Sequence, residues 1–168
     1  MFIDDTIAAI ATAPGEGGIG IIRISGEKAL EIVSKIFTNY AKLDHQKIIY
    51  GKIINNITST MVDEVLVSCF KAPHSFTGED VCEINCHGGR KVTLEILKLV
   101  VENGARIAEP GEFSKRAFLN GKMDLSKAEA IIDVINAKTS AQAKVAVNQL
   151  SGGIYDKVET VRDMLVTL

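Results

Sequence analysis

The chain of 168 residues has no tryptophan, three prolines, three cysteines and only 5% aromatic residues. Each shortage excludes something. An odd number of cysteines with no secretory leader does not make a disulfide framework, so reduced thiols are expected. No apolar run reaches the ~18 residues of a membrane span. The opening "MFIDDTIAAIATAPG" carries acids where a signal peptide carries basic residues, so a cytoplasmic protein is expected. There is no basic surplus either: 19 Lys and Arg stand against 21 Asp and Glu, a net charge of −2. A dedicated nucleic-acid domain presents a basic face or stripe, and direct RNA recognition by this chain alone is disfavoured. Low-complexity tracts and solenoid-type repeats are absent.

What is present is ordinary for a globular protein, 46% hydrophobic and 24% charged. A chain of this length buries roughly 70% of its unfolded surface. Apolar alternation predicts strands over 4–13, 18–25, 47–55, 63–72 and 81–87, and a short one at "RIAEP". "GEKALEIVSKIF" (26–37) places Ala29, Leu30, Val33, Ile36 and Phe37 on one helical stripe, which should pack on a sheet. A second amphipathic helix follows "CHGG" and ends at Gly104, and a short one over 111–121 stops at Asn120-Gly121. Ser126 and Glu129 form an S-x-x-E capping box that opens a helix running to Gly152-Gly153. Beyond it Ile154, Val158, Val161, Leu165 and Leu168 recur at heptad-like spacing up to the last residue. An apolar stripe that ends without a cap is expected to continue in a longer protein. The predicted class is α+β: a mixed-sheet domain over about residues 1–120, then the first helices of a helical domain over 121–168.

"GEGGIG" (15–20) satisfies the glycine pattern of a dinucleotide loop, but a strand-like "IIRIS" follows where the helix should start. It is expected to be a loop between two strands. No nucleotide phosphate-binding loop occurs, since "YGKI" and "NGKM" lack the hydroxyl residue. In "HSFTGEDVCEINCHGG" (74–89), alternation puts Cys82, Ile84 and Cys86 on one face and Val81, Glu83, Asn85 and His87 on the other. The sulfurs therefore belong with the core as small hydrophobes. Neither a metal site nor a Cys–His nucleophile is expected, because His87 points away from them.

Three stretches carry charges that stay unexplained. Glu83 sits mid-strand among apolar residues, and Arg23 is a lone cation inside "IGIIRIS". A charge in such a place is costly to bury unless paired. The two are either each other's partners or the polar fixtures of one pocket, and spacing does not choose. In "PGEFSKRAFLNGKMDL" (110–125), Lys115, Arg116 and Lys122 bracket a Phe-Leu pair, and a solvated cationic helix end is the plain alternative there.

Three stretches taken together, "TAPGEGGIGIIRISG", "SFTGEDVCEINCHGG" and "AEPGEFSKRAFLNGKMDLSKAEAIIDVI", closely resemble the MnmE (TrmE) family of tRNA modification GTPases in order and spacing. The resemblance implies an N-terminal folate-binding and dimerisation domain of aminomethyltransferase-like fold, and a helical domain interrupted by a GTPase domain. The chain stops before any GTP-binding motif. GTP, Mg and K would serve only that missing domain, and these residues alone should be inactive, with no catalytic residue among them. Carried over, the family's folate contacts fall on Arg23, Glu83 and Lys122, with 5-formyl-tetrahydrofolate or a related one-carbon folate as ligand. A further contact lies in the family's C-terminal part. The implied role is modification at C5 of the wobble uridine of tRNA, with the flavoprotein MnmG (GidA) as partner and a homodimer as assembly. Two alternatives remain: a stand-alone folate-dependent one-carbon transfer module, and a ligand-free dimerisation scaffold in which Arg23 and Glu83 are a structural ion pair.

Overall fold

Runs of β-branched residues with period two set the sheet, and their polar interruptions mark where the chain turns. The computed structural model describes residues 5–15 and 17–150. They form β1 (Ile7–Ile10), β2 (Ile19–Ser25), α1 (Ala29–Ile36), β3 (Ile48–Ile54), β4 (Met61–Phe70), β5 (Val81–His87), α2 (Arg90–Glu102), β6 (Arg106–Ile107), α3 (Glu112–Leu119), α4 (Leu125–Asn136) and α5 (Ser140–Leu150). The expected α+β class is what the structure has. The apolar stripe from Ile154 to Leu168 and the Gly152-Gly153 break lie outside the described residues, as does Glu16 of the glycine loop.

The chain divides into two units after Phe113, inside α3. The first unit holds a six-stranded sheet of order β3-β4-β5-β2-β1-β6. All its pairings are antiparallel except β1 with β6. One face carries α1 and α2, and between helices and sheet lies the core: Ile22 and Ile24 from β2, Val65, Val67 and Cys69 from β4, Cys82, Ile84 and Cys86 from β5. Burying one Ile or Val there contributes about 1.5–3 kcal/mol. On α1 the buried stripe is Ala29, Ile32, Val33 and Ile36, the i, i+3, i+4, i+7 set of a surface helix. Ile32 takes the place expected for Leu30, which is only partly buried, and Phe37 is buried just past the helix end. Gly20 lets α2 lie close on β2, because a Cβ there would run into the Thr93 methyl group.

Three local expectations are corrected. Among the described residues of the strand expected over 4–13, β1 keeps only Ile7–Ile10; its register with β2 ends at Ile10 opposite Ile22, with one last bond from the Ala11 N–H to Ile21 O at 2.7 Å. The N-cap of α4 is Asp124, whose carboxylate accepts the Lys127 N–H at 2.7 Å, so Ser126 does not start the helix. The single helix expected from 126 to the glycine pair is two. Ala137 leaves helical geometry at ψ 122, and Thr139 restarts α5 by accepting the Gln142 N–H at 3.2 Å. Gln142 in turn accepts the Lys138 N–H at 3.0 Å. The second unit contains α4 and α5 packed on one another.

Candidate functional site

The sheet face opposite α1 and α2 holds two of the unexplained charges, Arg23 and Glu83. Its residues come from alternate positions of neighbouring strands, so β2–β5 pairing sets Arg23 directly opposite Glu83, with Ser68 of β4 on Glu83's other side. Arg23 Nε donates to Glu83 Oε1 at 2.8 Å, and Nη2 reaches the same oxygen at 2.7 Å. The question left open by spacing has a definite answer: the two are partners. Their side chains are 29% and 21% exposed, which leaves both within reach of a ligand. Both contacts converge on Oε1, and among the described residues no hydrogen bond falls on Oε2.

Two aromatic rings flank the guanidinium. Arg23 Cζ lies 5.3 Å from the centroid of Phe76 and 5.8 Å from that of Phe113. Each contact is worth about 0.5–2 kcal/mol, depending on desolvation. Phe76 stands in the loop 71–80 and Phe113 in the first turn of α3. Sequence reasoning missed both, and the available signal was weak: an aromatic residue in each of two otherwise polar stretches, "SFTGED" and "GEFSK". Further out on this face, Ile48, Tyr50 and Leu66 are exposed.

Lys122 belongs to the second unit. It follows Gly121, which takes φ +67 to end α3 in a Schellman turn, with Gly121 N–H on Phe118 O at 3.0 Å and Lys122 N–H on Ala117 O at 2.8 Å. The Asn120-Gly121 stop is therefore where it was expected. Lys122 and Lys115 are exposed, whereas Arg116 is buried.

The cysteines are core residues. Cys69 and Cys82 face each other across β4 and β5, and all three thiols are free and buried. The Cys69 contact and burial raise the Cys82 thiol far above its ordinary range, and burial, with the Asp63 charge, pushes Cys86 up to about 11. Such thiols are poor nucleophiles. His87, at the far end of β5, gives its Nδ1 to Asp63 Oδ1 at 2.7 Å, away from the sulfurs.

A mixed sheet with its helices on one face and an aromatic-flanked ion pair on the other, followed by a run of helices, defines an α+β N-terminal module joined to a helical one. Residues 6–122 match the family described as GTP-binding protein TrmE N-terminus, and residues 125–168 match the MnmE helical domain. The chain belongs to the MnmE (TrmE) family. It is 56% identical over 173 residues to the tRNA modification GTPase MnmE of Alkaliphilus oremlandii, covering 100% of this chain and 38% of that protein. The MnmE of Clostridioides difficile is 54% identical over 173 residues, covering 100% and 37%. That of Thermoanaerobacter pseudethanolicus is 54% identical over 169 residues, covering 98% and 37%. The chain thus spans less than two fifths of the length of these relatives.

Proposed function

We propose that this chain is the folate-binding and dimerisation part of a tRNA modification GTPase, and that Arg23 and Glu83 bind 5-formyl-tetrahydrofolate or a related one-carbon folate. The observation that carries the proposal is the convergence of both Arg23 donors on Glu83 Oε1. A carboxylate whose second oxygen is not engaged can accept from the adjacent ring N–H and amino group of a pterin, a donor pair that an anionic acceptor recognises well. The donor set fits the ligand: an acceptor from Glu83, a cation from Arg23, and apolar rings from Phe76 and Phe113. The resemblance assigns Lys122 to the same ligand, where its charge suits a carboxylate tail.

The folate supplies a one-carbon unit when bound. The chain's own residues bind and orient it: Arg23 fixes the Glu83 carboxylate, and the two phenylalanines keep water from the guanidinium faces. In the parent protein, GTP hydrolysis with Mg and K resides in another domain, and MnmG (GidA) joins in modifying C5 of the wobble uridine in the cytoplasm. No helix among the described residues is long and apolar enough to cross a membrane.

The ion pair and the exposed Ile48, Tyr50 and Leu66 also favour a second reading, a dimerisation scaffold without ligand. Calorimetric titration of 5-formyl-tetrahydrofolate into the chain, beside Glu83→Gln, decides. Heat of binding that Glu83→Gln removes is the expected result. Equal binding by both proteins refutes the Glu83 role, and binding by neither, here and in the full-length protein, leaves the scaffold.

A further inference from the structure

Loop 71–80 is tied to the end of β2 by hydrogen bonds that no ligand contact accounts for. Ser25 and Thr77 are both 0% exposed. Ser25 Oγ donates to Glu79 Oε2 at 2.7 Å and lies 2.7 Å from Thr77 Oγ1, while the Glu79 N–H points at Thr77 Oγ1 at 3.3 Å. The direction of the Ser25–Thr77 contact follows. An ionised carboxylate only accepts and a hydroxyl has one proton, so Ser25 gives its proton to Glu79 and Thr77 donates to Ser25. The bonds close a cycle: Thr77 O–H to Ser25, Ser25 O–H to the Glu79 carboxylate, Glu79 N–H back to Thr77. A cycle that ties two buried hydroxyls to a carboxylate is rigid, and losing one member opens it.

A turn that only needed closing would use the local Glu79–Thr77 contact. The link to Ser25 does something else, since it fastens the loop to the strand that carries Arg23, two residues away on the same face. Phe76 immediately precedes Thr77 and meets Arg23, yet the residue is 38% exposed, so packing alone holds it weakly. We infer that Ser25, Thr77 and Glu79 are positioning residues that hold Phe76 against Arg23 and thereby fix the aromatic wall of the site. The ligand half of this inference rests on the folate proposal above.

The absence of tryptophan provides a clean reporter. Phe76→Trp gives the chain one indole beside Arg23, and Thr77→Val, Thr77→Ser and Ser25→Ala are then compared in that background. Circular dichroism melts establish that each variant is folded at the assay temperature. Thr77→Val and Ser25→Ala are expected to raise acrylamide quenching toward that of free indole, and to raise the Kd for 5-formyl-tetrahydrofolate about tenfold, one buried hydrogen bond's worth. Thr77→Ser, which keeps the hydroxyl, should restore both. Unchanged quenching in Thr77→Val and Ser25→Ala overturns the inference whether or not folate binds. Raised quenching with an unchanged Kd overturns the link to the site. Raised quenching in a protein whose Phe76→Trp parent and unsubstituted form both fail to bind folate, here and in the full-length protein, upholds the positioning role and refutes the folate proposal instead.

Discussion

Replacing Arg23 and Glu83 together separates a pair that serves the fold from a pair that serves a ligand. At 29% and 21% exposure the pair lies between two regimes. Surface pairs contribute about 0–1 kcal/mol, and removing one partner of a buried pair costs about 3–5 kcal/mol. Either single change, Arg23→Met or Glu83→Leu, is therefore expected to cost about 2 kcal/mol. Glu83→Leu strands a guanidinium between two phenylalanine rings, and Arg23→Met leaves an unpaired carboxylate. The double variant has no orphan charge and should return to within about 1 kcal/mol of the parent, a coupling of about 3 kcal/mol or more. Binding should not recover with it. Loss of charge-assisted hydrogen bonds of about 1.5–3 kcal/mol each should weaken 5-formyl-tetrahydrofolate by about 100-fold or more. Urea denaturation of the four proteins gives the first cycle and calorimetry gives the second. A double variant that binds like the parent refutes the ligand role. One no more stable than the singles refutes the compensation argument.

Two further outcomes follow from the helix side of the sheet. Gly20→Ala drives a methyl group into Thr93 on α2 and should cost about 1–3 kcal/mol in urea denaturation. Thr93→Ser removes the obstructing methyl and should recover much of that loss, and no recovery would mean that the backbone, not the methyl, is the obstacle. Stability should also fall as pH rises from about 9 to about 11. Over that window the unfolded chain has released the Cys86 proton, ordinarily lost at 9.0, while the folded chain still holds it, so added base favours unfolding. Urea midpoints across this window should slope less steeply in Cys86→Ala, and an unchanged slope would reject the assignment to this thiol.

The first five strands and first three helices were legible because each buries one face, and period is written in the residues; β6, exposed at both positions, was marked by its closing proline instead. Alternation placed Cys82 and Cys86 inward and Glu83 outward, as found. It could not show that Glu83 meets Arg23, because register between strands 60 residues apart is set by the whole sheet. The Asp124 cap was readable, since aspartate is as good an N-cap as serine, but the S-x-x-E pattern two residues later drew the boundary to itself. The break before α5 carried its own mark in Thr139 and Gln142, overlooked because Ala137 and its neighbours suit a helix. Phe76 and Phe113 were invisible for another reason: loop placement over a sheet is tertiary, and no periodicity encodes it.

The central pairing of β2 with β5 has a kinetic consequence. The β3–β4 and β4–β5 pairings join strands that follow one another in the chain, whereas Arg23 must wait for Glu83 across 60 residues. During synthesis, at about 5–20 residues per second, the cation emerges seconds before its counter-ion exists. Non-local pairing is also the slow step of sheet formation. The ion pair thus comes into being only when the middle of the sheet closes. A ligand that needs both charges recognises a finished domain and, by mass action, favours that closed state over every partly paired one.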